Sequence, residues 1–452
     1  MEPVDRPLKE TVTELLAAGN RQELVNILDE LQPFDIAGLL LDLDEKGQLE
    51  VLGVLSPDVA AESLEHLDYD NQYRLLDHLD EDKARAIIAA MSGDALVDLI
   101  GAIHPRQARE IMRRVPEKDL PEIQLLMSYP ENSAGGRMTL DYLAVRQDWT
   151  VDRVIAHFRK VGREVKITNY VYVVDREGRL AGVASMRDVL LSDPGTPVSE
   201  IMYTKVVSVE ATSDQEEAAK ILSQYDFVAL PVVNGGGRLV GVITVDDVLD
   251  VIEEEDTEDI QRLGGSQPLD EPYMDASSFS LFRKRIGWLL VLFITESLTG
   301  NILRYYEGVL SQVVALTFFI PLLIDTGGNS GSQASTLVIR AMALGEVTLR
   351  DFLSVVWKEI RIGAALGLTM AGAAFAFARL LGGDIGIGLT VSVTLFLVVI
   401  VSSVVGAILP ILGKRLGVDP AVVSAPLITT IVDCTGLLIY FEVARIILSL
   451  GR

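Results

Sequence analysis

The chain of 452 residues has the length of two to four domains, and 49% of its residues are hydrophobic and 23% are charged. It carries 39 basic and 64 acidic side chains, a net charge of −25. The acids are unevenly placed: residues 1–279 hold 54 acids and 26 bases, a charge of −28, whereas residues 280–452 hold 10 acids and 13 bases, a charge of +3. This contrast excludes a uniformly soluble protein and indicates an acidic aqueous part followed by a membrane part.

Charge and cysteine content argue against further classes of protein. A nucleic-acid partner is disfavoured, because the half with a charge of −28 would repel phosphate. The single cysteine, Cys434, excludes an internal disulfide and a cysteine-based zinc site, and the four histidines show no metal-ligand spacing. The N-terminal residues lack the apolar core of a signal peptide, so we expect residues 1–279 to be cytoplasmic.

The N-terminal region, 1–130, contains a repeat. Four similar phrases begin at Leu31, Leu55, Leu79 and Ile103, at a constant spacing. Apolar residues recur within them at spacings of three and four, which is typical of amphipathic helices. A helical unit this short cannot bury its own apolar face, so the units should stack as a superhelix. Such an array binds a ligand or braces a neighbour, and a plain helical bundle without a ligand remains an equal alternative.

Residues 137–259 contain a duplicated α/β unit. Met138 and Met202 open the two copies, and each copy continues as strand, glycine turn, strand and helix. The phrases GVASMRDV (182–189) and GVITVDDV (241–248) resemble the strand–helix signature of a tandem CBS-domain pair. We therefore expect the copies, 137–200 and 201–250, to pack as a pseudo-twofold pair with a cleft between them.

The resemblance to CBS domains implies an adenine nucleotide such as ATP in this cleft. The residues it assigns to nucleotide contact are Tyr170, Arg187, Asp188 and Phe227. The guanidinium of Arg187 suits a phosphate. The alternative is that Asp188, like Asp247 in the second copy, only caps a helix.

An acidic helix follows the second copy. Nine of the fifteen residues 246–260 are Asp or Glu, and the apolar residues among them form a stripe. A solvated acidic face is the ordinary interpretation of such a run. However, further carboxylates lie on the repeat and in the second CBS copy, and two such charges about 7 Å apart repel by roughly 0.6 kcal/mol in water. If these surfaces meet, they need cations to close, and carboxylate oxygens suit Mg²⁺ or Ca²⁺.

The C-terminal region, 280–452, contains five apolar segments long enough to span a membrane. They are 285–303, 309–324, 360–381, 387–412 and 421–448. With the N-terminus inside, five spans place the C-terminus outside, and the basic flanks follow the positive-inside rule. We expect a multidomain membrane protein with an α-helical superhelical repeat domain, α/β tandem CBS domains and an all-α five-helix transmembrane domain. The predicted boundaries are 1–130, 137–200, 201–250, 251–279 for the acidic connecting helix and linker, and 280–452.

Polar residues interrupt two of these segments. The run PLLIDTGGNSGSQAST (321–336) is too polar for a lipid-facing helix, so we expect non-helical backbone there that lines water or a cavity. Asp433 stands among apolar residues, where an unpaired carboxylate costs at least about 2.5–3.5 kcal/mol. It should face the bundle interior, either as a cation site in a pore or as a hydrogen-bond partner of a neighbouring helix. Glu296 and Asp325 are weaker candidates.

The order of these parts, together with PLLIDTGGNSGSQAST and DPAVVSAPLITTIVD, resembles the MgtE family of magnesium channels. The resemblance implies a homodimer with the pore on its axis and Asp433 as the main site for hydrated Mg²⁺. Asn329 and Thr336 match polar positions of the membrane motif and are possible pore-lining residues. Ser332 and Ala95 depart from the family pattern. The residues that match regulatory carboxylates are Asp94, Asp98, Asp214, Glu216 and Asp226, with Asp247, Asp250, Glu255, Glu258, Asp259 and Asp419 in the closing cluster.

The predicted function is therefore Mg²⁺-selective uptake through a channel in a bacterial-type plasma membrane, closed by cytosolic Mg²⁺. A potential of 100 mV provides about 4.6 kcal/mol for a divalent ion, and no phosphate-binding loop is present, so neither energy coupling nor enzymatic activity is expected. Two alternatives stay open. One is a CBS-regulated divalent-cation carrier, and the other is a membrane-anchored Mg²⁺ or nucleotide sensor without transport.

Overall fold

The computed structural model describes residues 6–162, 167–269, 273–274, 276–381, 384–423 and 425–449. The chain divides into two compact units, Met1–Ile252 and Glu253–Arg452. Part of the predicted linker, at 270–272 and 275, and the C-terminal positions 450–452 lie outside the described residues.

The N-terminal part of the first unit is entirely helical, as predicted. Each repeat folds as a pair of short helices whose first member begins at the third residue of the phrase, which is proline in three of the four phrases. Leu40, Leu64 and Ile88, at one common offset, are buried in a single core. The helices are α1 (Arg6–Ala18), α2 (Arg21–Leu28), α3 (Pro33–Asp42), α4 (Glu45–Val54), α5 (Pro57–Glu65), α6 (Tyr69–His78), α7 (Glu81–Ile88), α8 (Gly93–Ala102), α9 (Pro105–Arg114) and α10 (Leu120–Leu126).

The rest of the first unit consists of two similar three-stranded sheets. In each sheet the first strand runs parallel to the second, and the second pairs antiparallel with the third. The elements are β1 (Tyr142–Arg146), α11 (Val151–Val161), β2 (Ile167–Val174), β3 (Leu180–Ser185), α12 (Met186–Leu191), α13 (Val198–Ile201), β4 (Val209–Glu210), α14 (Gln215–Tyr225), β5 (Ala229–Val233), β6 (Leu239–Thr244) and α15 (Val245–Leu263). The predicted boundary between 250 and 251 falls inside α15.

The two copies exchange their opening segments. Thr139, at the start of the first copy, pairs with Val242 of β6, and Tyr203, at the start of the second, pairs with Val183 of β3. Met138 packs so tightly on Gly241 that a Cβ there would lie 2.4 Å from the methionine sulfur; Met202 packs on the first copy's glycine in the same way. This reciprocal arrangement confirms the predicted pair of CBS folds.

The second unit is a bundle of long helices. They are α16 (Ser278–Tyr305), α17 (Glu307–Gln312), α18 (Ile320–Ala343), α19 (Phe352–Leu380), α20 (Ile385–Arg415) and α21 (Ala425–Leu448), with short 3-10 helices at Val314–Phe319, Leu349–Asp351 and Pro420–Val422. Among the described residues, three segments are both long and apolar enough to cross a membrane: Ser278–Tyr305, Leu349–Leu380 and Ile385–Arg415. The other two long helices, α18 and α21, have 24 residues each and carry the polar run and Asp433. The predicted span 309–324 is wrong in its bounds, because α17 and a 3-10 helix occupy its first part and α18 begins only at Ile320.

The expectation of non-helical backbone within residues 321–336 is wrong, because α18 is continuous through the glycines. Tight helix packing explains this. A Cβ on Gly406 of α20 would lie 2.1 Å from the carbonyl oxygen of Gly331 in α18, so the two helix backbones touch. Glycine has no side chain, and this weakens an isolated helix. In the bundle, the same property permits the close approach of the two helices.

Candidate functional site

The first unit contains an acidic cavity of about 430 Å³. It lies between the repeat helices α5, α6 and α8 and the second CBS copy. Tyr69, Gln72, Thr139 and Val228 contribute to its wall. Six carboxylates line it: Glu65, Asp94, Asp98, Asp246, Asp247 and Asp250. The structure thus brings together four of the predicted regulatory residues from two distant parts of the chain, together with Glu65 and Asp246, which the sequence analysis did not assign.

Asp247 is the most perturbed acid of this cavity. The pKa of its carboxyl is raised to about 7, mainly by burial and to a smaller extent by the neighbouring carboxylates of Asp94 and Asp246. The backbone N–H of Thr244 donates to Asp247 Oδ2 at 3.3 Å, and the Thr244 hydroxyl donates to the same oxygen; both bonds oppose the rise. Asp94 Oδ1 is buried without a hydrogen-bond partner. The described lining of the cavity therefore combines six carboxylates with no Lys or Arg side chain.

This donor set fits a hard, hydrated divalent cation. Within the described part of the chain, no three His, Cys, Asp or Glu side chains are placed to hold a metal ion directly. Mg²⁺ dehydrates reluctantly and keeps several waters when few carboxylates bind it. A wide cavity with carboxylates on opposite walls and an uncompensated buried oxygen suits such binding through water.

Three other predicted regulatory acids lie elsewhere. Asp214 caps the start of α14, where one of its oxygens accepts the N–H of Glu216 at 2.9 Å. Asp226 ends the same helix in a left-handed conformation, with φ of 53°. The 11 residues of α14 separate the two aspartates by roughly 16 Å. The structure therefore does not unite them, and neither they nor Glu216 are among the residues that line the cavity.

The remaining predicted closing residues belong to the second unit. Glu255, Glu258 and Asp259 lie on the part of α15 that follows residue 252, and Asp419 precedes the 3-10 helix before α21. Arg262 pairs with both Glu258 and Asp419, so Asp419 does face the acidic helix, but through an arginine. Earlier in α15, Asp256 pairs with Arg340 of α18 at 2.9 Å. Neither arginine was predicted as a functional residue, although the position of Arg262, four residues after Glu258, is a recognisable signal for an ion pair.

Asp433 is buried in the helical bundle. Its side chain is 8% exposed, and its Oδ1 has no hydrogen-bond partner among the residues that the structure describes. The carboxylates of Glu296 and Asp325 act on it electrostatically. The interpretation as a hydrogen-bond partner of a neighbouring helix thus leaves one carboxylate oxygen unexplained.

A polar face runs along α18. Asp325, Asn329 and Thr336 are exposed, at helical spacings of four and seven, whereas the glycine face of the helix is buried. Asn329 Nδ2 donates to Asp325 Oδ2 at 3.2 Å, and the hydroxyl of Thr336 donates to the Ser332 carbonyl at 3.0 Å. Ser332, which departs from the family pattern, is therefore partly buried, and its carbonyl accepts the hydrogen bond from Thr336 on this polar face.

Three of the four predicted nucleotide residues, Tyr170, Arg187 and Asp188, lie near the end of β3. Tyr170 of β2 pairs with Ser185, whose hydroxyl donates to Asp188 at 2.6 Å and accepts the Asp188 N–H at 3.0 Å. Arg187 and Asp188 are exposed at the start of α12. Phe227, half-buried before β5, stacks on Tyr225 with 5.3 Å between ring centroids. In the matching place of the second copy, Ala229 pairs with Thr244, and Asp246 replaces Arg187.

The helical repeat, the CBS pair and the apolar bundle with a buried acid are the architecture of a multi-pass membrane transporter with N-terminal domains on the cytosolic side. Residues 320–443 match the family model for the MgtE divalent cation transporter. Residues 31–132 match the model for the MgtE intracellular N domain, and residues 134–194 and 198–254 each match the CBS domain.

Curated relatives align with nearly the whole chain. The magnesium transporter MgtE of Thermus thermophilus is 41% identical over 449 residues, which cover 99% of this chain and 100% of the relative. The magnesium transporter MgtE of Bacillus subtilis is 33% identical, with 95% of each chain covered. The chain belongs to the MgtE family, whose members are transporters and not enzymes.

A solved structure resembles the cytosolic part. It is the crystal structure of the cytosolic domain of the Mg²⁺ channel MgtE in complex with ATP. The match covers 54% of this chain and 99% of the solved chain, at 39% identity and a TM-score of 0.52. The soluble part of a magnesium transporter covers 55% of this chain and 98% of that chain, at 28% identity and a TM-score of 0.53.

Proposed function

We propose that this protein is a Mg²⁺-selective channel that admits Mg²⁺ down its electrochemical gradient and is closed by cytosolic Mg²⁺. The observation that carries the proposal is Asp433, a buried carboxylate with an unsatisfied oxygen in a membrane helix. Such a group is costly unless it serves an ion or a partner. A channel that binds Mg²⁺ through water needs few carboxylates, and one Asp433 from each of two protomers meets that need.

The polar face of α18 supports a pore on the axis of a homodimer. Asp325, Asn329 and Thr336 are exposed on the single chain, and such side chains are excluded from contact with lipid. A second copy related by a twofold axis covers this face and creates a polar path beside both Asp433 residues. In this arrangement Asn329 and Thr336 line the pore. Five spans with the acidic domains in the cytoplasm place the C-terminus outside a bacterial-type plasma membrane.

The acidic cavity is the proposed cytosolic sensor. Without cations its six carboxylates repel one another, and this favours separation of the repeat helices from the second CBS copy. Mg²⁺ at millimolar concentration bridges them and shifts the population toward the closed state. Asp214, Glu216, Asp226, Glu255 and Asp259 serve as further regulatory acids in this scheme.

Single-channel recording from the purified protein in lipid bilayers tests the proposal. We expect Mg²⁺ currents that disappear as Mg²⁺ on the cytosolic face rises to millimolar levels. Saturable flux into liposomes without unitary currents would instead identify a carrier. Absence of both currents and flux would leave a sensor that transports nothing.

We also propose that an adenine nucleotide such as ATP binds at Tyr170, Arg187, Asp188 and Phe227. The first copy offers a cation for phosphate, whereas its counterpart in the second copy offers Asp246. We expect Arg187→Ala to weaken ATP binding about tenfold or more, because a charge-assisted contact contributes about 1.5–3 kcal/mol. Isothermal titration measures the change. Arg176→Ala, at an exposed arginine just beyond the opposite end of β2, is the control and should bind ATP as the unaltered protein does.

A further inference from the structure

Two arginines pair with carboxylates to link the part of α15 that follows residue 252 to other elements of the second unit. We infer that Arg262 and Arg340 form a metal-independent latch that holds the C-terminal half of α15 against α18 and against the segment before α21. The latch goes beyond the proposed Mg²⁺-dependent closure, because it acts when Mg²⁺ is absent. In this latch the guanidinium groups of Arg262 and Arg340 hold the C-terminal half of α15 in place. Without them, the carboxylates would need Mg²⁺ to hold it.

Arg262 is the stronger half of the latch. It stands in the last turn of α15, and its two terminal nitrogens donate to Glu258 and to Asp419. The side chains of Arg262, Glu258 and Asp419 are 32%, 29% and 34% exposed, so water screens these pairs only in part. A planar guanidinium is suited to such a fork between two carboxylates. Arg262 therefore occupies the place between Glu258 and Asp419 where a divalent cation would otherwise be required.

Arg340 is the second half. It lies in the last turn of α18, the helix that carries the polar face, and its guanidinium donates to Asp256 at 2.9 Å. The side chains of Arg340 and Asp256 are 58% and 51% exposed, so this pair is the weaker one. Neither residue belongs to the proposed metal ligands. The two pairs connect the C-terminal part of α15 to the end of α18 and to the segment before α21.

The turn after α15 is packed as well. Gly265, with φ of 74°, lies so close to Trp288 of α16 that a Cβ would be 2.7 Å from the indole. The N–H of Gln267 donates to the Lys284 carbonyl at 3.1 Å, and the N–H of Leu269 donates to the side chain of Gln261 at 2.7 Å. These contacts fix the end of the helix, so loss of the ion pairs frees the turns before it rather than the whole segment.

Hydrogen exchange of the full-length protein in EDTA tests the latch without relying on conduction. We expect Arg262→Gln to accelerate exchange of amides 253–263 about tenfold, and Arg340→Gln about two- to fivefold, as expected for a partly buried and an exposed charge pair. Arg415→Gln, at an exposed arginine that ends α20, is the matched control and should leave these amides unchanged. Equal exchange in Arg262→Gln, Arg340→Gln and the control would overturn the inference.

A charge exchange separates the latch from misfolding. Arg340→Asp alone should accelerate exchange, and the double variant Asp256→Arg with Arg340→Asp should restore slow exchange, because the pair is rebuilt with opposite polarity. Failure of the double variant to recover, with the global fold intact by circular dichroism, would remove Arg340 from the latch. If the protein also conducts Mg²⁺, Arg262→Gln should raise the current at zero cytosolic Mg²⁺ about tenfold. Slow exchange in a protein without currents would retain the latch and refute only the channel.

Discussion

Replacement of Asp433 by asparagine is expected to reduce Mg²⁺ flux at least about a hundredfold while the protein remains folded. Each protomer of the proposed dimer would lose one charged ligand, and a contact to a charged group contributes about 1.5–3 kcal/mol. Two copies therefore account for about 3 kcal/mol or more, which corresponds to a hundredfold or greater change. Asparagine keeps the size of the side chain and removes a buried charge, so we expect the fold to be unharmed or stabilised.

Flux of Mg²⁺ into liposomes measures this change, with circular dichroism as the check on folding. Asp384→Asn is a matched control, because Asp384 is exposed at the start of α20 and makes no capping hydrogen bond with its side chain. Asp384→Asn should transport at the unaltered rate. Normal flux in Asp433→Asn would assign Asp433 to helix packing and would remove the main support for the proposed pore.

In metal-free solution, Asp247→Asn is expected to stabilise the first unit at pH 8. The folded pKa of Asp247 is about 7, against an ordinary value of 3.8. Below the ordinary value both folded and unfolded forms carry the proton. As the pH rises through the interval from about 4 to 7, the unfolded chain releases its proton first, so the free energy of unfolding falls and the loss is complete above pH 7. Across this pH interval the free energy of unfolding falls by about 2–4 kcal/mol.

Protection of the β5 and β6 amides against hydrogen exchange, corrected for intrinsic rates, measures this stability at pH 5 and pH 8. Asparagine still offers an oxygen to Thr244, so the variant should lose the pH dependence and keep the local hydrogen bonds. Asp246→Asn, at the exposed neighbouring position, is the control and should retain most of the pH dependence. Added Mg²⁺ should stabilise the unaltered protein more than Asp247→Asn. An unaltered protein equally stable at both pH values would contradict the buried, charge-crowded environment of Asp247.

Sequence periodicity predicted the positions of individual helices and strands, but it did not predict the contacts between them. The phrases at Leu31 and its repeats located the first helix of each pair. The second helices had a weaker signal, the capping residues Asp44 and Asp68, which recur at the spacing of the repeat. The glycine-rich run in α18 suggested broken helix because propensity disfavours glycine there. Contact between Gly331 and Gly406 reverses that preference, and such contact is a property of tertiary packing alone.

The acidic sites show the same division. Composition alone marked residues 246–260 as unusual, and resemblance to a family selected individual acids. The meeting of Asp94 with Asp247 depends on how the repeat packs on the CBS copy, which no local pattern encodes. The family resemblance assigned roles to acidic residues and none to the basic residues that pair with them. The arginines that neutralise Glu258 and Asp256 were therefore missed, although Arg262 has helical spacing from Glu258.

The exchange of opening segments between the CBS copies has a mechanical consequence. Because Thr139 bridges to β6 of the second sheet and Tyr203 bridges to β3 of the first, the copies cannot be separated without breaking both bridges. We therefore expect the two copies to move together as one body. Thr244, whose hydroxyl holds Asp247, is the last residue of β6 and is followed directly by α15, so no flexible linker dampens a displacement of that strand. In the proposed scheme, Mg²⁺ bound at the acidic cavity therefore acts on α15 through β6 with no linker between them.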